Sequence, residues 1–274
     1  MIIDIHAHVG YKNAKERYSA EEFITVMDKV GIDKLVILGA DHGVFSLTNF
    51  EDEEVASFCE KYPDRLIGFS SVHPNRSNPH LKVKQAVKKL GLKGVKLYPH
   101  AGFYVNDPRL DLVYEKCLEM NIPVMIHTGV KALQRQYLKY NNPIYIDDVV
   151  TKFPKLKVIM CHGGFPWCDE FLAIAHSASC VWVDITFLDY IENIFKRKGL
   201  CERIIKNLAE VIGPHRLLWG SEGPFMNLPL FGQHGPDHYV KSQEFLVKRF
   251  DFLSEEDKKG LLGDNAARLL NIKL

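Results

Sequence analysis

The sequence has little that would place this protein in a membrane or outside the cell. No apolar run approaches the ~20 residues that a spanning helix requires. The opening residues, numbers 1–6, form an apolar strand-like run and lack the basic and apolar regions of a signal peptide. The six cysteines form no CxxC pair, so we expect reduced, mostly buried thiols rather than disulfides. Together these absences predict a cytoplasmic protein.

An excess of charge of either sign is also missing. The chain has 35 basic and 34 acidic residues, with a formal net charge of +1. Such a balance provides no electrostatic footprint for nucleic acid or for an anionic membrane surface. We therefore expect a small-molecule substrate.

A repeated alternation of apolar and helical segments fills the chain. The 274 residues contain no low-complexity stretch or long linker, and a (β/α)₈ barrel needs about 250 residues, so we expect a single domain over 1–274. Short apolar runs recur about every 30 residues and predict strands at 2–6, 34–40, 65–72, 93–98, 123–127, 156–162, 180–186 and 216–222. Helical patterns lie at 20–30, 51–61, 79–90, 108–121, 144–153, 168–177, 202–212 and 240–250.

Alternating strands and helices predict a parallel sheet covered by helices. An open, doubly wound sheet would show the same periodicity. Polar residues at the ends of the runs favour the closed barrel, because barrel enzymes gather their chemistry at the carboxyl ends of the strands. These polar residues are His6, Asp41, His73, Tyr98, His127, His162, Asp184 and Glu222. The predicted fold class is therefore α/β, a single (β/α)₈ TIM barrel.

His6 and His8 form an HxH pair at the end of the first run. Side chains two residues apart on a strand share a face and lie roughly 6.6 Å apart along it. Two imidazoles at this spacing can converge on one metal ion with bonds of about 2.0–2.1 Å. The alternative is two loop histidines without a shared task.

Three further strand ends carry candidate functional residues. His127 and His162 each follow an apolar strand and are followed within two residues by glycine, which allows a sharp turn beside the ring. Glu222 ends the eighth run and is a candidate metal ligand or proton acceptor. Core histidines and a loop acid that caps a helix or forms a salt bridge are the alternatives.

The ordered set of motifs resembles the amidohydrolase superfamily. Within it, the chain is similar to the amidohydrolase-related branch that includes the aminocarboxymuconate-semialdehyde and resorcylate decarboxylases. The resemblance covers nearly the whole chain and rests on IDIHAH at 3–8, GVKL at 94–97, HTG at 127–129, FPKLK at 153–157, HGG at 162–164 and GSEGP at 220–224. The segment 253–269 resembles the closing helix of that branch, which implies an extra C-terminal helix.

The resemblance implies a metal site and its ligands. It implies one divalent ion, Zn²⁺ first and Mn²⁺ or Fe²⁺ as alternatives, bound by His6, His8, His127 and Glu222. It further implies that Glu222 acts as base and that His162 contacts the substrate. The branch normally has aspartate where this chain has Glu222, so coordination by the longer side chain is less firmly implied. Asp4, two positions before His6 on the strand, is a candidate for orienting a ligand histidine.

Lys96 has several possible roles. Binuclear members of the superfamily carry a carbamylated lysine on strand four, but this branch is mostly mononuclear, so we favour one ion. Ion pairing and substrate contact are the other roles for Lys96. We expect a substrate pocket that includes Lys96, His73, Tyr98 and His100. Weaker candidates are Asp41, His42, Asp184 and a lid at 227–238 that contains His234 and His238.

These residues predict a metal-dependent hydrolase that acts on a small carboxylic ester, lactone or amide through a metal-activated water. The first alternative is non-oxidative decarboxylation of a small unsaturated or aromatic carboxylic acid, because the same branch performs both reactions. An alternative of another class is a non-catalytic, ligand-binding barrel, which would be expected to have lost ligand residues. A homodimer is a further expectation from the family.

Overall fold

The computed structural model describes residues 1–10, 16–42, 49–131, 134–223, 227–228, 232–233, 243–244 and 246–273. Within them, strands β1 to β8 form one sheet in sequential order. They are β1 (Ile3–Ala7), β2 (Lys34–Leu38), β3 (Leu66–Ser71), β4 (Val95–Leu97), β5 (Val124–Ile126), β6 (Val158–Met160), β7 (Val181–Asp184) and β8 (Leu217–Leu218). A short antiparallel pair follows, β9 (Asn227–Leu228) and β10 (Gly232–Gln233).

Helices alternate with the strands of the sheet. They are α1 (Ala20–Val30), α2 (Asp52–Glu60), α3 (Pro79–Lys88), α4 (Asp111–Glu119), α5 (Ile144–Lys152), α6 (Cys168–Ser177), α7 (Leu188–Ile194), α8 (Leu200–Ile212), α9 (Glu255–Lys259) and α10 (Asn265–Leu270). A π-helical segment, Gly260–Asp264, joins α9 to α10. Among the residues that the structure describes, no helix has both the length and the apolar composition needed to cross a membrane.

The chain divides into two compact units. The first unit comprises Met1–Ile37, Phe58–Ile67 and Asp184–Leu274, and the second comprises Leu38–Ser57 and Gly68–Val183. The expectation of one domain over 1–274 stays a prediction beside this division.

In the first unit, β1 is paired on both sides. It runs parallel to β2, with Ile3 opposite Lys34. On its other side, the Ile5 amide donates to the Trp219 carbonyl at 3.1 Å. Because β8 lies beside β1, residues that follow β8 are brought to the carboxyl end of β1, where His6 and His8 lie.

In the second unit, β4, β5 and β6 are parallel and in register. Val95 lies opposite Val124, and Val124 lies opposite Val158. All three valines are fully buried, as expected for parallel strands covered on both faces. Since the strands end level with one another, the residues that follow Leu97, Ile126 and Met160 emerge at one edge of the sheet.

The predicted pattern of eight strands with intervening helices is confirmed, as is the helical closing segment at the C-terminus. Helix α1 begins with a capping box, in which Ser19 and Glu22 exchange hydrogen bonds between side chain and backbone. The patterns did not predict α7, whose buried residues include Leu188 and Ile191, one turn apart. The segment predicted as a helix at 240–250 lies partly outside the described residues.

All six cysteines lie in described parts of the chain and carry reduced thiols. Three are buried and three are half-buried, and the buried ones are Cys117, Cys161 and Cys201. Burial raises the pKa of Cys117 above its usual value, which keeps its thiol protonated and unreactive.

Candidate active site

A cluster of histidines and carboxylates lies at the carboxyl end of β1 in the first unit. We call it the ligand cluster and define it as His6, His8, Glu222, Asp184 and Asp4. The His6 and His8 Nε2 atoms are 3.2 Å apart. The Glu222 carboxylate approaches both rings, at 3.4 Å from His6 Nε2 and 3.6 Å from His8 Nε2. The ligand atoms of these three residues all lie within 4.8 Å of one another.

The backbone around Glu222 adopts a conformation that brings its carboxylate to β1. Glu222 forms an isolated parallel bridge with Ala7 and has a φ of 70°. A left-handed backbone is uncommon for a residue with a side chain, and such strain is found preferentially at functional sites. Gly220 allows the close approach of the two segments, since a Cβ there would lie 2.5 Å from Thr186 Oγ1 and 2.7 Å from His6 Cβ.

Asp184 orients the His6 ring. Its Oδ2 atom lies 2.5 Å from His6 Nδ1, and both residues are fully buried. The other oxygen, Oδ1, accepts hydrogen bonds from the Thr186 amide at 2.8 Å and from the Thr186 hydroxyl. With Nδ1 donating its proton to Asp184, the lone pair of the neutral His6 ring is at Nε2, the atom that faces His8 and Glu222.

Asp4 ties β1 to the segment that follows β8. Its carboxylate accepts hydrogen bonds from the His6 amide at 3.0 Å, the Ser221 amide at 3.1 Å and the Ser221 hydroxyl at 2.5 Å. Complete burial raises the pKa of Asp4 to about 7, although the hydrogen bonds from Ser221 and His6 act in the opposite direction. Asp4 therefore holds the backbone of His6, while the ring of His6 is held by Asp184.

The distances within the ligand cluster suit a divalent metal ion. A tetrahedral site with bonds of about 2.0–2.1 Å places its ligand atoms about 3.4 Å apart. The three measured separations, 3.2, 3.4 and 3.6 Å, are close to this value. Two imidazole nitrogens and a carboxylate oxygen are a donor set that Zn²⁺, Mn²⁺ and Fe²⁺ all accept.

A second group of histidines lies at the strand ends of the second unit. We call it the basic cluster and define it as His42, Lys96, Tyr98, His100, His127 and His162. His127 Nδ1 lies 3.2 Å from His162 Nε2, and the backbone of His162 is left-handed, with a φ of 62°. His127 Nε2 lies 2.8 Å from the Val130 carbonyl and donates to it, so in the neutral ring the lone pair of His127 is at Nδ1.

The surroundings of His127 disfavour its protonation. Burial lowers its pKa well below the usual value, and the neighbouring His100, His162 and Lys96 lower it further. The rings of His100 and His127 meet edge to face, with centroids 4.5 Å apart. His127 is consequently a neutral imidazole at physiological pH.

Lys96, Tyr98 and His42 occupy the other end of the basic cluster. The fully buried Lys96 donates to Cys161 Sγ at 3.2 Å and lies 5.3 Å from the centroid of the Tyr98 ring. Tyr98 is fixed by a hydrogen bond of 2.9 Å from its hydroxyl to the Gly39 carbonyl. The His42 ring packs 4.4 Å from Tyr98 and lies nearly parallel to His100, with centroids 5.5 Å apart.

The structure therefore gathers the predicted site residues into two groups, one in each unit. Among the described residues, the His73 ring contacts no ring of either group. It packs against Phe103 with ring centroids 4.9 Å apart and accepts a hydrogen bond from the Asn75 amide. Asp41 is engaged by a bidentate ion pair with Arg76, at 2.9 and 3.2 Å. The loop histidines His234 and His238 lie outside the described residues.

Sequence reasoning had placed Asp184 only among weaker candidates for the substrate pocket and had no role for Thr186. Asp184 contacts His6 and Thr186 donates to Asp184, so the two residues together support a candidate ligand. The available signal was an Asp-x-Thr motif at the carboxyl end of the seventh strand, the edge where barrel enzymes concentrate their chemistry.

The chain is similar to several known proteins. A family model described as amidohydrolase matches residues 3–272. A 2-keto-4-carboxy-3-hexenedioate hydratase from Sphingobium is 22% identical over 245 residues, covering 78% of this chain and 68% of the relative. Protein fluG from Emericella nidulans is 27% identical over 112 residues, or 40% of this chain, and the match spans only 12% of that relative's length.

Solved structures show the same fold. An uncharacterised TIM-barrel protein from Bordetella bronchiseptica has a TM-score of 0.74 at 22% identity, covering 99% of this chain and 98% of its own. A probable 2-pyrone-4,6-dicarboxylic acid hydrolase from Acinetobacter baumannii, with citric acid bound, has a TM-score of 0.72 at 18% identity, covering 98% and 99%. A 5-carboxyvanillate decarboxylase from Novosphingobium aromaticivorans, with manganese and a nitrobenzoic acid derivative bound, has a TM-score of 0.68 at 17% identity, covering 99% and 97%. The predicted TIM-barrel fold is confirmed.

Proposed function

Because the chain belongs to the amidohydrolase family, we propose that it is a metal-dependent hydrolase that cleaves a small carboxylic ester, lactone or amide. The observation that carries the proposal is the convergence of His6, His8 and Glu222 at separations suited to one divalent ion. A non-catalytic barrel would have no reason to retain this geometry together with the buried Asp184 behind His6.

Each residue of the ligand cluster has a part in the proposed reaction. His6, His8 and Glu222 would hold the ion, which when bound would supply Lewis acidity and lower the pKa of water. Glu222 also takes the proton from the attacking water and returns it to the leaving group. Asp184 keeps the His6 lone pair on Nε2, and Asp4 keeps the backbone of His6 in place.

The roles of three other residues rest on the resemblance and stay predictions. They are His127 as a further ligand, His162 as the group that polarises the carbonyl, and Lys96 as an unmodified lysine beside a single ion. Zn²⁺ is the proposed metal, with Mn²⁺ and Fe²⁺ as alternatives that the same donors accept. A cytoplasmic location and a homodimer are also proposed.

Non-oxidative decarboxylation of a small carboxylic acid is the second candidate. It is favoured by the buried Lys96 and the adjoining histidines, which suit an acidic substrate, and by the similarity to a decarboxylase solved with manganese and an aromatic acid. The two reactions differ in their products, since hydrolysis consumes water and decarboxylation releases CO₂.

The test begins with the metal content of the purified protein, measured per chain by elemental mass spectrometry without added metal. We expect about one divalent ion. The same preparation is then assayed against esters, lactones, amides and carboxylic acids in ¹⁸O-labelled water, with CO₂ release measured in parallel. Incorporation of ¹⁸O into a product acid supports the hydrolase, whereas CO₂ release without incorporation supports the decarboxylase.

Two controls complete this experiment. Glu222→Gln keeps the size of the side chain but removes its basicity, so we expect a loss of about 10²-fold or more in kcat. The matched control is Glu202→Gln, a change at an exposed position on α8. Absence of metal even after reconstitution with Zn²⁺ or Mn²⁺ would overturn the proposed function.

A further inference from the structure

Asn141 lies in the segment between β5 and α5, and it is only 1% exposed. Its Nδ2 atom donates to the Gly129 carbonyl at 3.0 Å and to the Val130 carbonyl at 3.4 Å. Its backbone carbonyl accepts a hydrogen bond from the Gly129 amide at 3.1 Å. Asn141 therefore holds the Gly129–Val130 segment by three hydrogen bonds, two from its side chain and one through its main chain.

The Val130 carbonyl joins Asn141 to His127. This oxygen accepts a hydrogen bond from His127 Nε2 at 2.8 Å in addition to the one from Asn141 Nδ2. A carbonyl oxygen has two lone pairs and accepts from both donors. Because the tautomer of a neutral histidine follows from the partners of its two nitrogens, the position of this carbonyl determines where the His127 proton lies. The other nitrogen, Nδ1, lies 3.2 Å from His162 Nε2 and is placed to accept a hydrogen bond from it.

The surroundings of the Asn141 amide fix its orientation. The reversed amide would place Oδ1 against two carbonyl oxygens, so the nitrogen must face Gly129 and Val130. In this orientation Oδ1 is buried without a hydrogen-bond partner among the described residues. An unsatisfied buried acceptor is unfavourable. The asparagine thus contributes through its two donated hydrogen bonds, which act on the backbone beside His127.

The turn after β5 needs such support on one side. Gly129 has a φ of 79°, and glycine restricts its own backbone less than any other residue does. On the side toward β5, the Thr128 hydroxyl anchors the turn by donating to the Cys161 carbonyl at 2.5 Å. On the far side, the hydrogen bonds from Asn141 hold the Val130 carbonyl in its direction toward the His127 ring.

We propose that Asn141 is a positioning residue for His127. Through the Val130 carbonyl it holds the His127 proton on Nε2 and leaves the lone pair of Nδ1 directed to His162. The inference rests on the proposed function and deepens it, because His127 and His162 are the residues to which that function assigns a further ligand and the group that polarises the carbonyl. Sequence analysis gave Asn141 no role.

NMR of the full-length, metal-free protein with ¹⁵N-labelled histidine tests the proposal. The ring nitrogens of a neutral imidazole differ in chemical shift according to which of them carries the proton. We expect the His127 ring, identified by its absence from the spectrum of His127→Phe, to carry its proton on Nε2. A proton on Nδ1, or a mixture of the two tautomers, would overturn the proposal before any change is made to Asn141.

Replacement of Asn141 then tests its own part. Asn141→Leu has a side chain of similar size without a donor. We expect some of the His127 rings to move their proton to Nδ1, and the Nε2 proton to exchange with solvent about tenfold faster, the effect of one weakened hydrogen bond. The His127 backbone amide, which donates to the Leu97 carbonyl at 3.1 Å, should keep its exchange rate, since this bond belongs to the strand ladder.

The matched control is Asn207→Leu, which changes an exposed asparagine on α8 and should leave the His127 ring unaltered. If Asn141→Leu fails to fold, Asn141→Ala replaces it with the same expectations. A folded variant at Asn141 with the original tautomer and the original Nε2 exchange rate would overturn the proposal. Equal acceleration at Nε2 and at the His127 backbone amide would do so as well, because it would indicate a general loosening of the fold.

These measurements need neither metal nor substrate, so the proposal and the proposed function can fail separately. Absence of metal after reconstitution would overturn the proposed function, while an Nε2 tautomer that depends on Asn141 would still support the positioning role. Conversely, a protein that binds one ion and hydrolyses an ester, but whose His127 tautomer is independent of Asn141, would overturn the positioning role alone.

Discussion

In the first unit, His6 lies between two carboxylates, those of Asp184 and Glu222. In the second unit, His127 lies between the imidazoles of His100 and His162, and the ammonium of Lys96 helps to lower its pKa. The same side chain thus occupies opposite electrostatic surroundings. Carboxylates next to imidazole nitrogens create a place for a cation, whereas positive and neutral neighbours lower the pKa of a buried histidine and create a place for an anion or for a neutral hydrogen-bond acceptor.

The largest expected effect on metal binding comes from removing a candidate ligand of the ligand cluster. His6→Ala should lose the metal almost completely, because His6 is in contact with His8, Glu222 and Asp184 at once. Elemental mass spectrometry per chain measures the loss, and His176→Ala at an exposed position is the matched control. Full metal content in a folded His6→Ala protein would contradict the expectation that the ligand cluster is the metal site.

Protonation of His42, a member of the basic cluster, should destabilise the folded protein in acid. Its pKa in the folded protein is about 4, below the ordinary 6.5, so the unfolded chain takes up the proton first. The full free energy of unfolding is therefore present above pH 6.5, and roughly 3 kcal/mol of it is lost as the pH falls toward 4. Urea unfolding at both ends of this range should show that His42→Phe loses less stability than the unchanged protein. Equal losses in the two proteins would contradict a neutral, buried His42.

Replacement of Asp184 tests how its carboxylate contributes to metal binding by the ligand cluster. Asp184→Asn keeps the shape but weakens the hold on His6 Nδ1, so we expect metal affinity to fall about 10–100-fold. Competition with a chromophoric chelator measures this change. The exposed Asp169→Asn serves as the control, and an unchanged affinity in Asp184→Asn would show that the contact with His6 is structural only.

The smallest effects should come from two glycines, one beside each cluster. In Gly220→Ala the new methyl group meets Thr186 and His6, whereas in Gly129→Ala it meets the Phe165 carbonyl at a position with a φ of 79°. Each change should cost about 1–3 kcal/mol of stability. Thermal unfolding measures both costs, but only Gly220→Ala should also weaken metal binding. A loss of metal affinity in both variants would show that this effect is not specific to the first cluster.

Much of the fold was predictable because it depends on local patterns. Apolar runs spaced about 30 residues apart predicted all eight strands, and the helical pattern at 20–30 predicted α1. The strand ends also predicted where polar residues would gather. By contrast, α7 was missed because it is a short segment that follows β7 directly, and such a segment has too few turns to show a helical period.

The contacts between the site residues were less predictable than the identity of those residues. The sequence alone determined the eight-stranded α/β pattern, the HxH pair and the polar strand ends, because period and composition are properties of neighbouring residues. Only the tertiary structure decided that Asp184 holds the ring of His6, from which it is separated by 178 positions. It also decided that the His42 ring lies nearly parallel to that of His100, while the His73 ring packs against Phe103. Such contacts depend on the register of strands and on the path of loops, and burial then sets the charge of each group through neighbours that are distant in the chain.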